Sequence, residues 1–582
     1  MGAPIQLRRS TGKSLSVSSA RVGARGLAPG RVAARGVRAK SRALVVSVLS
    51  LLLLAGFGLR AYQLSAEGLS EDELNKLNAV ADYRARGLTS TNGEHPFLMK
   101  ALLTVSITAA ERWNAAPFVA ARPQLRVAEE TALRLPSVVF GALTALLLFL
   151  LVSELFGPWT ALLTAALWTF DPAAIAFNRI AKEDTFLTFF FLLANVFWLR
   201  GRRAAEGGEP HPTRWYWATA AAYGAMLASK YMPHMIAVST SFYHIYQGIP
   251  ATRWRLGKRR WLKFFAVMGA VFLLCNPTIL LPGTWHEMRI FAGERRIGHP
   301  GYEFMGQLYW NQMSLWLKGM PWYFYYAFIA FKLPLAVGGG ALVGLPLLFT
   351  KRLGEGRYFV LFYLFFWFFP FTLLGGKFLR YFTVALPVVL ILAAVGIQAV
   401  GRWLAQLLAR LGAHAKLQTY APASVALVAL VGSAYAAGTS APYYRLYTNA
   451  LGGGQARAGS YFPHDEFYDA AVRDVALAVA AHAGPRARVA SETPELFAHY
   501  ARAAGRTDLS PVSLSDRAAT SVLAPGDIIV VARGRRYFSN DALVQRLTAA
   551  SAPVARVALG ATPAADVYKL DAATLGALAD VR

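Results

Sequence analysis

Residues 43–62 read ALVVSVLSLLLLAGFGLRAY, twenty positions whose only charge is Arg60. A helix needs about 20 mostly apolar residues to cross the hydrocarbon core of a bilayer, and this run supplies them. Ten Lys/Arg and no acid stand ahead of it in residues 1–42. A basic stretch followed by an apolar one also suits a secretory signal. This run is longer than a typical signal core and lacks a clear small-x-small cleavage site, so it reads as a signal anchor or first helix.

Working outward, comparable runs occur at about 134–156, 158–177, 184–200, 214–230, 232–249, 262–282, 333–350, 357–375, 380–400 and 420–440, which makes eleven expected spans. The chain of 582 residues is 55% apolar and only 16% charged, too little charge to cover a soluble protein of that length. The net charge of +28 would otherwise suggest nucleic acid. Its distribution argues against that partner. Basic residues crowd the segments 1–42, 200–214, 250–263, 350–357 and 401–418, whereas 63–131 and 283–332 carry mixed charge. Alternate basic loops are the mark of a cytoplasmic face against an anionic leaflet, so the N-terminus is expected in the cytoplasm. Cys275 is the sole cysteine, so no disulfide within the chain can form.

Beyond residue 440 the charge balances, 15 Lys/Arg against 13 Asp/Glu, and short strand-like and helix-like segments alternate. The strands are expected at 486–491, 527–533, 554–559 and 566–570, the helices at 494–504 and 540–550. The fold class is therefore mainly α: a polytopic membrane protein of about eleven transmembrane helices with a small C-terminal α/β domain outside the membrane. Three parts are expected: a basic, disordered cytoplasmic tail (1–42), a transmembrane domain (43–440) and an extracytoplasmic α/β domain (441–582).

On this topology the ionisable groups near the membrane gather at one face. Asp72, Glu73, His95 and Lys100 fall in the first outer segment; Arg179, Lys182, Glu183 and Asp184 in the turn between spans three and four. Lys230 falls between spans five and six, Lys377 and Arg380 between spans nine and ten. Charge held near a bilayer is costly and tends to be functional. Five cations with few acids in these turns suit a phosphate or pyrophosphate carried on a lipid. Taken singly, each could instead be an anchor snorkelling to water. Lys377 and Arg380 share a face if the tenth helix begins early.

Ser70 and Glu73 have the spacing of a capping box, which gives Glu73 an ordinary structural task. Asp72 is left free, and a carboxylate there could deprotonate an acceptor hydroxyl while the cations stabilise a phosphate leaving group. His95 and His299 each precede a proline, and His464 lies past the last span. No ligand spacing of the His-x-x-x-His kind supports a divalent metal, and no cofactor is otherwise called for. The aromatic residues of 284–332, Tyr302 among them, form either an interfacial belt or a surface for sugar or lipid.

Together these pieces resemble the protein O-mannosyltransferase family and its bacterial relatives within the C-type (GT-C) glycosyltransferases. The matching residues are Asp72-Glu73; His95-Pro96-Phe97-Leu98-Met99-Lys100, similar to that family's His-Pro-Pro-Leu-x-Lys; Asn178-Arg179 with Asp184 and Phe189–Phe191; Ser229-Lys230-Tyr231; His299-Pro300 with Tyr302; and Lys377 with Arg380-Tyr381. The resemblance implies a polyprenyl-phosphate sugar donor and transfer at the outer face with inversion at the anomeric carbon. It would make Asp72 the base with Glu73 in support, and Arg179, Lys182, Lys230, Lys377 and Arg380 the phosphate contacts. His95, Lys100, Asp184, His299 and Tyr302 would belong to the substrate loops. The acceptor is a protein, a lipid or a glycan, and the expected setting is a bacterial inner (plasma) membrane with the C-terminal domain periplasmic or extracellular. Phe97 replaces the motif's second proline, and the tail is too short and too α/β to be assigned as the luminal module of eukaryotic members. Rival readings are a lipid A or cell-wall glycan transferase of the aminoarabinose type, a transporter or flippase, and an inactive surface receptor. A transporter would place charge at the midplane and show repeated halves, and neither pattern is visible.

Overall fold

The computed structural model describes residues 30–248, 255–293 and 298–581, with the side chains of 30–42, 298 and 299 left aside. Residues 1–29 of the expected basic tail lie outside it, and the first helix, Gly30–Ala61, begins ahead of the apolar run. Each of the eleven runs is helical, but not all make long helices. Among the described residues five helices are long and apolar enough to cross a membrane: Ala43–Ala61, Pro123–Phe156, Gly356–Leu373, Leu386–Arg410 and Ala415–Ser440. A sixth arises if Pro158–Phe170 and Pro172–Asn178, bent by 63°, count as one span. The bend has a local cause. Asp171 accepts a hydrogen bond from the Ala174 amide at 2.9 Å, capping a new helix whose first residue is Pro172. The remaining runs form shorter or more polar helices such as Thr213–Leu227, Ala237–Gln247 and Leu335–Leu347.

The helix Leu386–Arg410 is the most enclosed of the long ones. It crosses Leu335–Leu347 at Gly396, Gly340 and Gly344, where a Cβ on any of the three would run into the facing backbone. Small residues let two helices approach to backbone contact, which is the main source of packing attraction where lipid removes the hydrophobic drive. By contrast, Leu44, Val46, Leu51 and Leu54 on the first helix are exposed, as a lipid-facing surface would be.

The C-terminal residues form a five-stranded sheet of order β4-β3-β5-β7-β6, with β3 (Arg488–Ser491), β4 (Ser510–Ser513), β5 (Ile528–Ala532), β6 (Ala555–Leu559) and β7 (Thr562–Lys569). β3 runs parallel to β4 and β5, while β7 is antiparallel to β5 and β6. Alternation sorts β5: Ile528 and Val530 join the cluster of helices Val472–His482 and Pro494–Ala503, and Ile529 joins that of Asp541–Ala550. The first cluster continues through Leu69, Leu74, Met99, Leu103 and Phe186. The domain therefore shares a core with the segment after the first helix. A short hairpin, β1 (Gly298–Phe304) and β2 (Gln307–Gln312), turns at Met305-Gly306, both with positive φ (53° and 82°). It rests on the C-terminal domain through a stacked Trp310–Phe538 pair and the Met305 amide donating to the Tyr461 carbonyl at 3.0 Å.

Candidate functional site

The helix Glu71–Arg86 opens on a complete capping box, Ser70 bonding the Glu73 amide and Glu73 bonding back to the Ser70 amide. This fixes the neighbours of Asp72 and turns its carboxylate into a cavity of about 1060 Å³. Three groups meet that carboxylate: Lys182 Nζ at 2.9 Å, the Tyr468 hydroxyl donating at 2.6 Å, and Arg380 Nη2 at 3.8 Å. Burial alone would raise the Asp72 pKa. Lys182, Arg380 and Lys76 outweigh it and hold the group well below the usual carboxylate range.

Arg380 lies between Asp72 and Asp465 (Nη1 to Oδ1 3.9 Å), beyond hydrogen-bond reach of both, with its guanidinium 4.2 Å from the Phe378 ring centre. Its Nε is buried and has no hydrogen-bond partner among the described residues. A guanidinium has five donors, and neither carboxylate lies within hydrogen-bond distance of this one. Lys230 reaches the same cavity, 2.5 Å from Asp184 Oδ1 and 4.3 Å above the Tyr381 ring. Behind them Glu183 is buried beside Lys76 (2.8 Å) and Lys182 (3.6 Å). His95 Nδ1 is 3.7 Å from Glu183. Burial drives the His95 pKa well below its ordinary value and Lys76 and Lys182 add to this against Glu183, so the ring is neutral at neutral pH.

The expected site residues thus separate. Asp72, His95, Lys182, Lys230 and Arg380 line one cavity, and Asp184 orients Lys230 at its edge. The others have their groups committed elsewhere. Glu73 accepts from Arg134 Nε (2.8 Å) and Nη2 (2.7 Å) and from the Ala181 amide (3.0 Å), pinning the turn that carries Lys182. Arg179 donates to the carbonyls of Arg60, Tyr62 and Gln63 at 2.6–3.0 Å, closing the C-terminal end of the first helix. Lys100 donates to the carbonyls of Asn92 (2.6 Å) and His95 (3.0 Å), and burial lowers its pKa to about 7. Lys377 is fully buried on the Leu374 and Thr372 carbonyls, its pKa lowered by burial to about 8. It precedes the short helix Leu379–Thr383, so it does not share a face with Arg380. Tyr302 is buried against Asp465, to which its hydroxyl donates. The His299 side chain lies outside the described residues.

Several lining residues come from the C-terminal domain and were not expected from the sequence. Asp469 accepts from the Glu71 amide at 3.1 Å and pairs with Arg535, whose Nη2 also meets Glu71 Oε2 at 3.1 Å. Tyr468 belongs to the same turn. A signal was present in His464-Asp465-Glu466-Phe467-Tyr468-Asp469, which packs three acids, a histidine and a tyrosine into six residues just after the last span. Among the described residues no cluster of three or more His, Cys, Asp or Glu has the arrangement to hold a metal ion.

Comparison with known proteins finds a partial family match and a set of similar solved chains. Among solved structures, similar chains include ArnT from Cupriavidus metallidurans bound to undecaprenyl phosphate (15% identity, TM-score 0.47, covering 90% of this chain and 98% of that one). Others are the Archaeoglobus fulgidus oligosaccharyltransferase tethered to an acceptor peptide (14%, 0.47, 84% and 69%) and the S. cerevisiae Pmt1-Pmt2 complex bound to its sugar donor (16%, 0.31, 42% and 33%). No curated protein sequence matches the chain. A family model described as dolichyl-phosphate-mannose-protein mannosyltransferase matches residues 117–280, the stretch that holds Arg179, Lys182, Asp184 and Lys230, so the resemblance drawn from the motifs is met there by a family match.

Proposed function

We propose that the protein is a membrane glycosyltransferase that moves a sugar from a polyprenyl-phosphate donor to a hydroxyl acceptor at the outer face of the membrane, with eleven spans and a cytoplasmic N-terminus. The observation that carries this reading is the meeting of one ionised carboxylate, Asp72, with Lys182 and Arg380 in a cavity at one end of an apolar bundle. Lys230 is a further cation in the same space. The donor phosphate takes hydrogen bonds from Arg380, Lys182 and Lys230. Asp72 accepts the proton of the acceptor hydroxyl as its oxygen forms the new bond to the anomeric carbon. The bond from that carbon to the phosphate oxygen breaks on the opposite side, its electron pair leaves with the polyprenyl phosphate, and the configuration inverts.

Donor binding would make a useful base of a strongly acidic Asp72. Lys182, Arg380 and Lys76 hold its pKa down. A bound phosphate competes for the same cations and adds negative charge nearby, and both effects raise the carboxyl pKa toward the range where proton transfer is efficient. The test is sugar transfer from a purified polyprenyl-phosphate sugar by Asp72→Asn protein. Loss of a general base lowers kcat by about 10²–10⁴-fold, and full activity in that variant overturns the assignment. Mass spectrometry of lipids from a deletion strain should show an accumulated lipid-linked sugar, whose identity names the donor.

A further inference from the structure

The far end of the bundle holds a second cavity of about 610 Å³ that sugar transfer does not use. It lies between the turn at 155–160, the turn at 347–354 and the face of Leu386–Arg410 that carries Gln398, Arg402 and Gln406. From Leu386, beside the Arg380 site, to Arg402 is sixteen residues of helix, about 24 Å at 1.5 Å per residue. The two cavities therefore sit at opposite ends of the same helix.

Their chemistry differs. The first mixes acids with bases, but the second has Arg352 and Arg402 in its wall and no Asp or Glu at all. Neither arginine has an ion pair or side-chain hydrogen bond among the described residues. The nearby acid Glu154 is already met by Arg203 at 3.0 Å and Arg200 at 3.6 Å. The rest of the wall is amphipathic. Thr160 donates to Gln398 Oε1 at 2.9 Å, which leaves the Gln398 amide hydrogens for another acceptor, and Leu155, Phe156 and Trp403 supply apolar surface. A volume in the range of small-molecule sites, two unpaired guanidinium groups and an apolar flank at a membrane boundary fit one kind of molecule.

We propose that this cavity binds an anionic glycerophospholipid, its phosphodiester between Arg352 and Arg402, its ester carbonyls facing the glutamine amides and its chains along Phe156 and Trp403. Arginine forks suit a phosphate better than the single point charge of lysine would. The site lies in the cytoplasmic leaflet under the orientation proposed above, and its occupancy does not depend on the donor or on turnover.

Native mass spectrometry of the detergent-purified full chain tests this, with phosphatidylglycerol and phosphatidylethanolamine of matched chains added in parallel. The expected result is retention of phosphatidylglycerol at least about tenfold over phosphatidylethanolamine, which carries the same phosphodiester but adds an ammonium group that the two arginines repel and no wall carboxylate pairs. The double variant Arg352→Gln/Arg402→Gln should abolish the preference. Gln406→Glu, a change at an exposed wall position that threatens no packing, should do the same by repulsion, and Arg410→Gln, off the cavity on the same helix, should not. Equal retention of the two lipids, an unchanged preference in the double variant or in Gln406→Glu, or an equal loss in Arg410→Gln would each overturn the proposal. Adducts of added polyprenyl phosphate, read in the same spectra, should be unaffected by these variants, so failure here stays separate from failure of the transferase reading.

Discussion

Replacing Glu73 should damage the fold, and replacing its neighbour Asp72 should damage the chemistry. The Glu73 and Arg134 side chains are 1% and 3% exposed and bonded at 2.8 and 2.7 Å. Glu73 also accepts from the amides of Ala181 and Ser70, both at 3.0 Å. In Glu73→Gln one oxygen becomes a donor facing other donors. Arg134 keeps its bonds to the carbonyls of Leu64, Glu67 and Gly68, but its buried charge loses the carboxylate bonded to it. Breaking a buried pair from one side costs about 3–5 kcal/mol. Asp72 is about a third exposed (31%) and lines the cavity, so Asp72→Asn should cost far less stability. Unfolding in detergent, followed by tryptophan fluorescence, measures the difference. The double variant Glu73→Gln/Arg134→Gln should recover part of the loss, because no unpaired charge remains. The reasoning fails if Glu73→Gln unfolds like wild type yet loses sugar transfer as Asp72→Asn does, for then Glu73 belongs to the chemistry.

Three further outcomes follow from the same geometry. His95 is buried neutral, so its folded pKa lies below its unfolded value of 6.5, and the unfolded chain binds the extra proton as pH falls. Stability is then lost below pH 6.5 with a slope approaching about 1.4 kcal/mol per pH unit, and His95→Gln should flatten that part of a stability–pH curve. Arg380→Gln should raise the donor KM about 10–100-fold, since a hydrogen bond to a charged group contributes about 1.5–3 kcal/mol, whereas Lys377→Met should lower the unfolding temperature and leave KM unchanged. Gly396→Ala should destabilise by about 1–3 kcal/mol through overpacking against Gly340, visible as a lower unfolding temperature with the KM for donor preserved.

How much of this was legible in the sequence depends on the kind of interaction. The apolar runs and the strands of the tail show a period or a length, and the elements appear where those signals lie: β5 at Ile528–Ala532 against the expected 527–533, and the helix Pro494–Ala503 against 494–504. Asp72 was legible because its neighbours Ser70 and Glu73 declare a cap and leave it over. Sorting the cations was not. Arg179, Lys182, Lys377 and Arg380 look alike in a string, and what separates them is which backbone carbonyls lie within reach. Arg179 meets the last carbonyls of the first helix and Lys377 folds onto its own turn, facts of tertiary geometry with no local trace. The hairpin at 298–312 was hidden for another reason: its aromatic residues fit a membrane interface as well as a strand.

The C-terminal domain is part of the cavity rather than an appendage to it, and the backbone shows where the two are joined. Tyr468 and Asp469 stand in the left-handed region, φ 45° and 61°, a conformation that costs bulky residues of order 1–3 kcal/mol each unless the surroundings impose it. Here the surroundings do. Asp469 is fixed by Arg535 and by the Glu71 amide, which is the first turn of the helix bearing Asp72. From the same turn the Tyr468 hydroxyl donates to Asp72 at 2.6 Å. The strained turn is therefore what lets one side chain anchor the domain while the next touches the proposed base. A domain tethered only by the last helix would not need it. The shared apolar core beneath, from Leu69 and Met99 to Val489 and Val567, holds the two parts in the register that this contact requires.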